Sequence, residues 1–68
     1  MIIANYHVFV WKQGTLPLVW CYAGSKRGVL ASFARAVPLA EGRKWRRVVA
    51  MRGGYLTGDV LAVWGDAY

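Results

Sequence analysis

The chain has 68 residues, enough for one small domain and no more. Hydrophobic residues make up 57% of it, and nine Lys and Arg stand against three acids for a net charge of +6. With Cys21 as its one cysteine and His7 as its one histidine, the chain excludes an internal disulfide and any Cys/His zinc cluster.

From Ile2 to Lys12 the residues are β-branched or aromatic and alternate loosely with period two. Ile3, Asn5, His7, Phe9 and Trp11 share one face; Ala4, Tyr6, Val8, Val10 and Lys12 share the other. Both faces are largely apolar, which predicts a strand that is central or covered on both sides. Gln13-Gly14-Thr15 follows as a turn, because Gly14 tolerates the positive φ that hairpin loops demand. Leu16 to Ala23 reads as the returning strand, with Leu16, Leu18, Trp20 and Tyr22 on one face and Pro17, Val19, Cys21 and Ala23 on the other. Pro17 cannot donate to a ladder and belongs near a strand end or on an edge.

Gly24-Ser25 opens a helix, with the Ser25 hydroxyl as N-cap. Val29, Leu30, Phe33 and Val37 supply its apolar stripe, and Lys26, Arg27, Ser32 and Arg35 its polar side. Pro38 restricts Val37 and is expected to end the helix, leaving Leu39 to Gly42 as a loop. Arg43 to Arg52 alternates as a third strand, and Gly53-Gly54 signals a two-residue hairpin. The fourth strand falls within Tyr55 to Trp64, with Gly58-Asp59 as a bulge or as an extension of the turn. Gly65 to Tyr68 is left as a tail. The fold class is therefore α+β: a single domain over residues 1–68, ββαββ, with one helix packed on an antiparallel sheet. A faint internal symmetry accompanies it. Val8 to Gly14 and Val48 to Gly54 both run apolar, basic, then glycine, and each precedes a strand with a tryptophan, Trp20 or Trp64.

A core this small is marginal, since about 60% of the unfolded surface is buried at such a size. With neither disulfide nor metal available, self-association is the expected compensation, and apolar surface should meet a partner or a second copy. The charge points to polyanions, whether nucleic acid, an anionic membrane or an acidic protein face. The stretch from Met1 to Ser25 carries Lys12 as its one charge, yet its Pro, Gly, Asn and β-branched content argues for strands against a membrane span. No basic n-region precedes an apolar block and a cleavage site, and the lone cysteine suits a reducing compartment, so a cytoplasmic location is expected.

The candidate site is Arg43-Lys44-Trp45-Arg46-Arg47 with Arg52 nearby, read as a basic sheet edge. Arginine grips phosphate in bidentate fashion, and bases stack on indole with little sequence preference. Trp45 is singled out because its neighbours are all basic; Trp11, Trp20 and Trp64 are assigned to core or subunit contact. Lys26 and Arg27 at the helix start form a second candidate, where free amides attract anions. Lys12 and Arg35 add to the field. No helix-turn-helix, zinc-finger or RNP-type signature is present, so any nucleic-acid binding should be led by the backbone and sensitive to salt.

Catalysis is not expected. His7 lies on an apolar strand face, Cys21 in an apolar strand, and the acids Glu41, Asp59 and Asp66 are scattered; a His7–Cys21 pair across the first hairpin is the single dyad available. No cofactor is expected. The sequence thus reads as a non-enzymatic module that grips a nucleic-acid backbone. The alternative is a small inhibitor or adaptor that docks on a protein complex, of the kind common among phage and mobile-element accessory proteins. That likeness is one of size and composition alone.

Overall fold

The computed structural model of the protein describes residues 5–12, 14, 16–53 and 58–65. Four strands form one antiparallel sheet: β1 (Tyr6–Trp11), β2 (Leu18–Ala23), β3 (Arg47–Arg52) and β4 (Asp59–Gly65), in the order β2-β1-β3-β4. A single helix, α1 (Lys26–Arg43), packs across one face of the sheet. The ββαββ order and the α+β class are as the alternation and the caps predict.

β1 and β3 are central because both of their faces are apolar. Val8 and Val10 of β1, with Val48 and Ala50 of β3, meet Val29, Ala36 and Ala40 of the helix. Each fully buried valine contributes about 1.5–3 kcal/mol of burial free energy. On the opposite face Phe9, Val49 and Met51 form a second buried cluster with Trp11 against it. Among the described residues no helix packs on this second face of the sheet, called the open face below.

Both outer strands contain one extra residue. β1 and β2 pair as Val8↔Cys21 and then Phe9↔Val19, so Trp20 is bulged. β3 and β4 pair as Ala50↔Ala62 and then Met51↔Val60, so Leu61 is bulged. Trp20 and Leu61 both pack against the helix-side core. The two hairpins therefore do resemble each other, though Trp20 corresponds to Leu61 and not to Trp64. The bulge also breaks the even alternation expected of β2: Leu18 falls on the same side as Cys21 and Ala23, and Val19 joins Tyr22 on the open face.

Helix α1 begins where the sequence indicates, with the Gly28 amide donating to Ser25 Oγ at 3.0 Å. It ends later than expected. Pro38 lies inside it, and residues 39–42, expected as a loop, form its last turn. Proline removes the bond to the carbonyl of residue 34, but Ala34 and Pro38 both face solvent, where water can satisfy that carbonyl. The buried face also differs from the expected stripe, since Val29, Ser32, Ala36 and Ala40 are buried while Leu30, Phe33 and Val37 are half-buried. Ser32, expected on the polar side, is accommodated because its hydroxyl accepts from Cys21 Sγ at 3.5 Å and from the Arg35 guanidinium at 3.1 Å. Replacing Pro38 with alanine should restore a backbone hydrogen bond without touching the core. The helix-interior penalty of about 3 kcal/mol, less the entropy proline removes from the unfolded chain, predicts a net gain of about 2 kcal/mol. A urea titration with the midpoint raised at unchanged slope is the expected result; an unchanged or lowered midpoint contradicts it.

The remaining differences lie at the ends of strands. β2 begins at Leu18 and not at Leu16, with Pro17 just outside it, and β3 begins at Arg47 and not at Arg43. Of the two alternatives for Gly58-Asp59, the longer turn holds: Arg52 pairs with Asp59, so the connection runs from Gly53 to Gly58 and β4 starts at Asp59. Gly65, expected in a tail, is the last residue of β4. Gly14 has the positive φ its turn requires, 76°. The expected strand residues Ile2 to Ala4, Gln13 and Thr15 of the first turn, Gly54 to Thr57, and the tail 66–68 lie outside the described residues.

Candidate nucleic-acid interface

The basic segment Arg43 to Arg47 is not a strand, and β3, into which it leads, is not a sheet edge. It is a helix end, a reversal and a strand start in succession. Arg43 closes α1, where a cation complements the negative end of the helix dipole. Lys44 takes the left-handed conformation, φ 57° and ψ 38°, and its amide donates to the Ala40 carbonyl. The Trp45 amide donates to the same carbonyl at 2.9 Å, which reverses the chain. The Arg46 amide then donates to the Trp11 carbonyl at 2.8 Å and starts the β1–β3 ladder.

This reversal carries Trp45 inward. Its side chain is 7% exposed and belongs to the helix-side core. Trp45 is thus no stacking platform, contrary to the expectation drawn from its basic neighbours. An indole buries a large apolar area, and here that burial outweighs the polarity of the flanking residues. What the neighbours do is cap it: Lys12 Nζ and the Arg43 guanidinium each lie 5.7 Å from the ring centroid. On the open face, the Arg47 guanidinium lies 5.1 Å from the centroid of Trp11, its cross-strand partner.

Lys12, Arg43, Lys44, Arg46 and Arg47 therefore gather at one end of the sheet from two separate segments, with Lys12 and Arg43 on the helix side and Arg47 on the open face. Lys12, Arg43, Lys44 and Arg46 are exposed and Arg47 is half-buried. Glu41, in the last turn of α1, is the one acid of the described residues at this end. Lys12 is the member that a linear reading of the basic segment undervalues. The antiparallel pairing of β1 with β3 puts the residue after Trp11 beside the residues before Arg47, a proximity visible only once that pairing is known.

Arg52, Lys26 and Arg27 do not join this cluster. Arg52 pairs with Tyr6 at the other end of the central strands, five residue steps from the Trp11–Arg47 pair, or roughly 17 Å. Lys26 and Arg27 start the helix just after Ala23, which also pairs with Tyr6. They share that far end with Asp59. Arg35 is exposed midway along the helix, beside Ser32.

No family model matches the chain, nor does any curated protein or solved structure.

His7 and Cys21 are not a dyad. His7 pairs with Tyr22 and faces the open side, where its Nδ1–H donates to the Gly53 carbonyl at 2.9 Å and its ring stacks on Phe9. Cys21 faces the helix and Ser32. Among the described residues no group of three His, Cys, Asp or Glu side chains gathers to hold a metal ion, and no helix is long and apolar enough to cross a membrane.

The open face is the other unusual surface. Its central residues are buried, Phe9 to 6% exposure, but its flanks are not: Tyr22 is 63% exposed and Val60 56%, with Val19 and Val63 also exposed. These four come from the two outer strands and flank the Phe9–Val49–Met51 cluster.

Proposed function

We propose that the protein is a non-enzymatic binding module that grips the phosphate backbone of a nucleic acid with the cationic end of its sheet. The observation that supports this is the meeting of Lys12 and Arg43 over the buried Trp45, with Lys44, Arg46 and Arg47 following at the same end of the sheet and Arg47 lying over Trp11 on its other face. The stretch from Arg43 to Arg47 is held by main-chain bonds to Ala40 and Trp11, so its cations are offered from a fixed frame. Arginine and lysine arranged in this way neutralise phosphates and release counterions, whatever the base sequence.

Fluorescence anisotropy with a labelled duplex oligonucleotide tests the reading. If four or five phosphates are contacted, the Kd should rise by about 150- to 500-fold between about 50 and 200 mM salt. Changing Arg46 to alanine should flatten the log–log salt slope by about one, uniformly across sequences. A Kd independent of salt, or no binding at the lowest salt, would refute it.

The exposed Tyr22, Val19, Val60 and Val63 favour a second reading, a protein-docking adaptor that uses the open face. On that reading, replacing Val60 with lysine abolishes partner or self-association and leaves oligonucleotide binding intact. On the first reading, charge reversal of Arg46 weakens oligonucleotide binding and leaves association intact. Light scattering coupled to size exclusion, with absorbance ratios to detect bound nucleic acid, follows both properties in one sample.

A further inference from the structure

We infer that the cationic end selects double-stranded over single-stranded nucleic acid. The inference rests on the backbone-binding reading above and adds the substrate class. Proteins that hold single strands combine a basic groove with aromatic faces on which unpaired bases stack. At this end of the sheet the indoles of the described residues are already committed, Trp64, opposite Val48, by packing against the helix-side core and the other two with cations over their rings. Trp45 is inside the core with Lys12 and Arg43 over its ring, and Trp11 is half-buried with Arg47 over its ring. A base can stack here only by displacing a cation that the phosphates require. The exposed Tyr22 cannot substitute, because it pairs with His7, four residue steps along β1 from Trp11, or roughly 13 Å. Its ring is moreover engaged edge-on with His7 at 5.1 Å.

Among the described residues this end offers cations without an uncommitted stacking surface, and such an end works by charge density. Duplex DNA carries about one negative charge per 1.7 Å of axis from its two strands and holds the denser counterion atmosphere, so each neutralised phosphate gains more there than on a single strand. The same set of cations should then bind the duplex more tightly and with the steeper salt dependence, about −0.9 per contact against about −0.7.

The test uses the full chain, a labelled duplex and the corresponding single strand, chosen free of self-complementarity, titrated across a salt series. Intrinsic tryptophan fluorescence is recorded at each point. The expected result is binding to the duplex about tenfold or more tighter at low salt, with tryptophan emission unchanged by either ligand. A single strand that binds as tightly as the duplex or more so, with or without quenching, overturns the inference while leaving backbone binding in place. Failure of both ligands to bind at the lowest salt overturns the parent reading instead. Exchanging Arg46 for glutamate should weaken duplex binding with the circular dichroism spectrum unaltered, since its side chain is exposed.

Discussion

Truncating Trp45 to alanine is expected to cost about 3–5 kcal/mol of stability, the range for large aromatic side chains lost from a core. A chain of this length holds only about 3–10 kcal/mol in total, so the variant should be largely unfolded at ambient temperature. The indole belongs to the helix-side core with Ala40, Val48 and Val10. It also supports the side chains of Lys12 and Arg43 that lie over its ring. Removing it leaves a cavity at the junction of helix and sheet and releases two of the cations from a common position. Thermal unfolding followed by circular dichroism should show a greatly lowered or absent transition, and Trp45→Phe an intermediate one. A residue that served as an external stacking platform would behave in the reverse manner, with stability kept and binding lost. That outcome would overturn both the placement of Trp45 and the duplex preference argued from it.

Trp45 also marks the boundary of what was legible in the sequence. The strands at Tyr6–Trp11 and Leu18–Ala23, the Ser25 cap and the ββαββ order follow from local rules: alternation, β-branching, a serine before a helical stripe. What those rules misjudge is governed by contacts between distant residues. Pro38 reads as a helix end because its local cost is large, yet it sits on the solvent side of a helix whose next turn buries Ala40. Continuing the helix through Pro38 brings that turn onto the core, and no window of residues around Pro38 shows it. Once the helix reaches Arg43, the basic segment cannot be a strand, and its tryptophan must turn inward. The bulges at Trp20 and Leu61 are hidden for the same reason, since a register shift depends on the partner strand. The basic segment thus keeps Arg43, Lys44, Arg46 and Arg47 at one end of the sheet but turns Trp45 into the core, and the approach of Lys12 to it depends on a pairing the local sequence does not show.

The second large effect concerns a position that sequence reading passed over as a tail. Gly65 has φ 99°, and a Cβ built on it would lie 2.9 Å from Arg47 Cα and 3.0 Å from the Arg46 carbonyl carbon. Those neighbours are backbone atoms of the strand start and cannot rotate away. Gly65→Ala thus combines the cost of positive φ, about 1–2 kcal/mol, with a steric cost of about 1–3 kcal/mol, for a total of roughly 2–5 kcal/mol. The clash would be relieved only by lifting the end of β4 from β3, which breaks the Arg47↔Gly65 pair and draws Trp64 away from its partner Val48. Arg46 and Arg47 would shift with it, so duplex binding should weaken although no charge has changed. Gly42→Ala provides the contrast. It lies in the last turn of the helix with nothing within 4 Å of the added carbon, and alanine there should stabilise by about 0.5–1 kcal/mol. Urea titrations of the two variants should therefore move the midpoint in opposite directions. If Gly65→Ala were neutral, β4 would have to run clear of Arg46, and the frame that presents the cationic end would be looser than its backbone contacts imply.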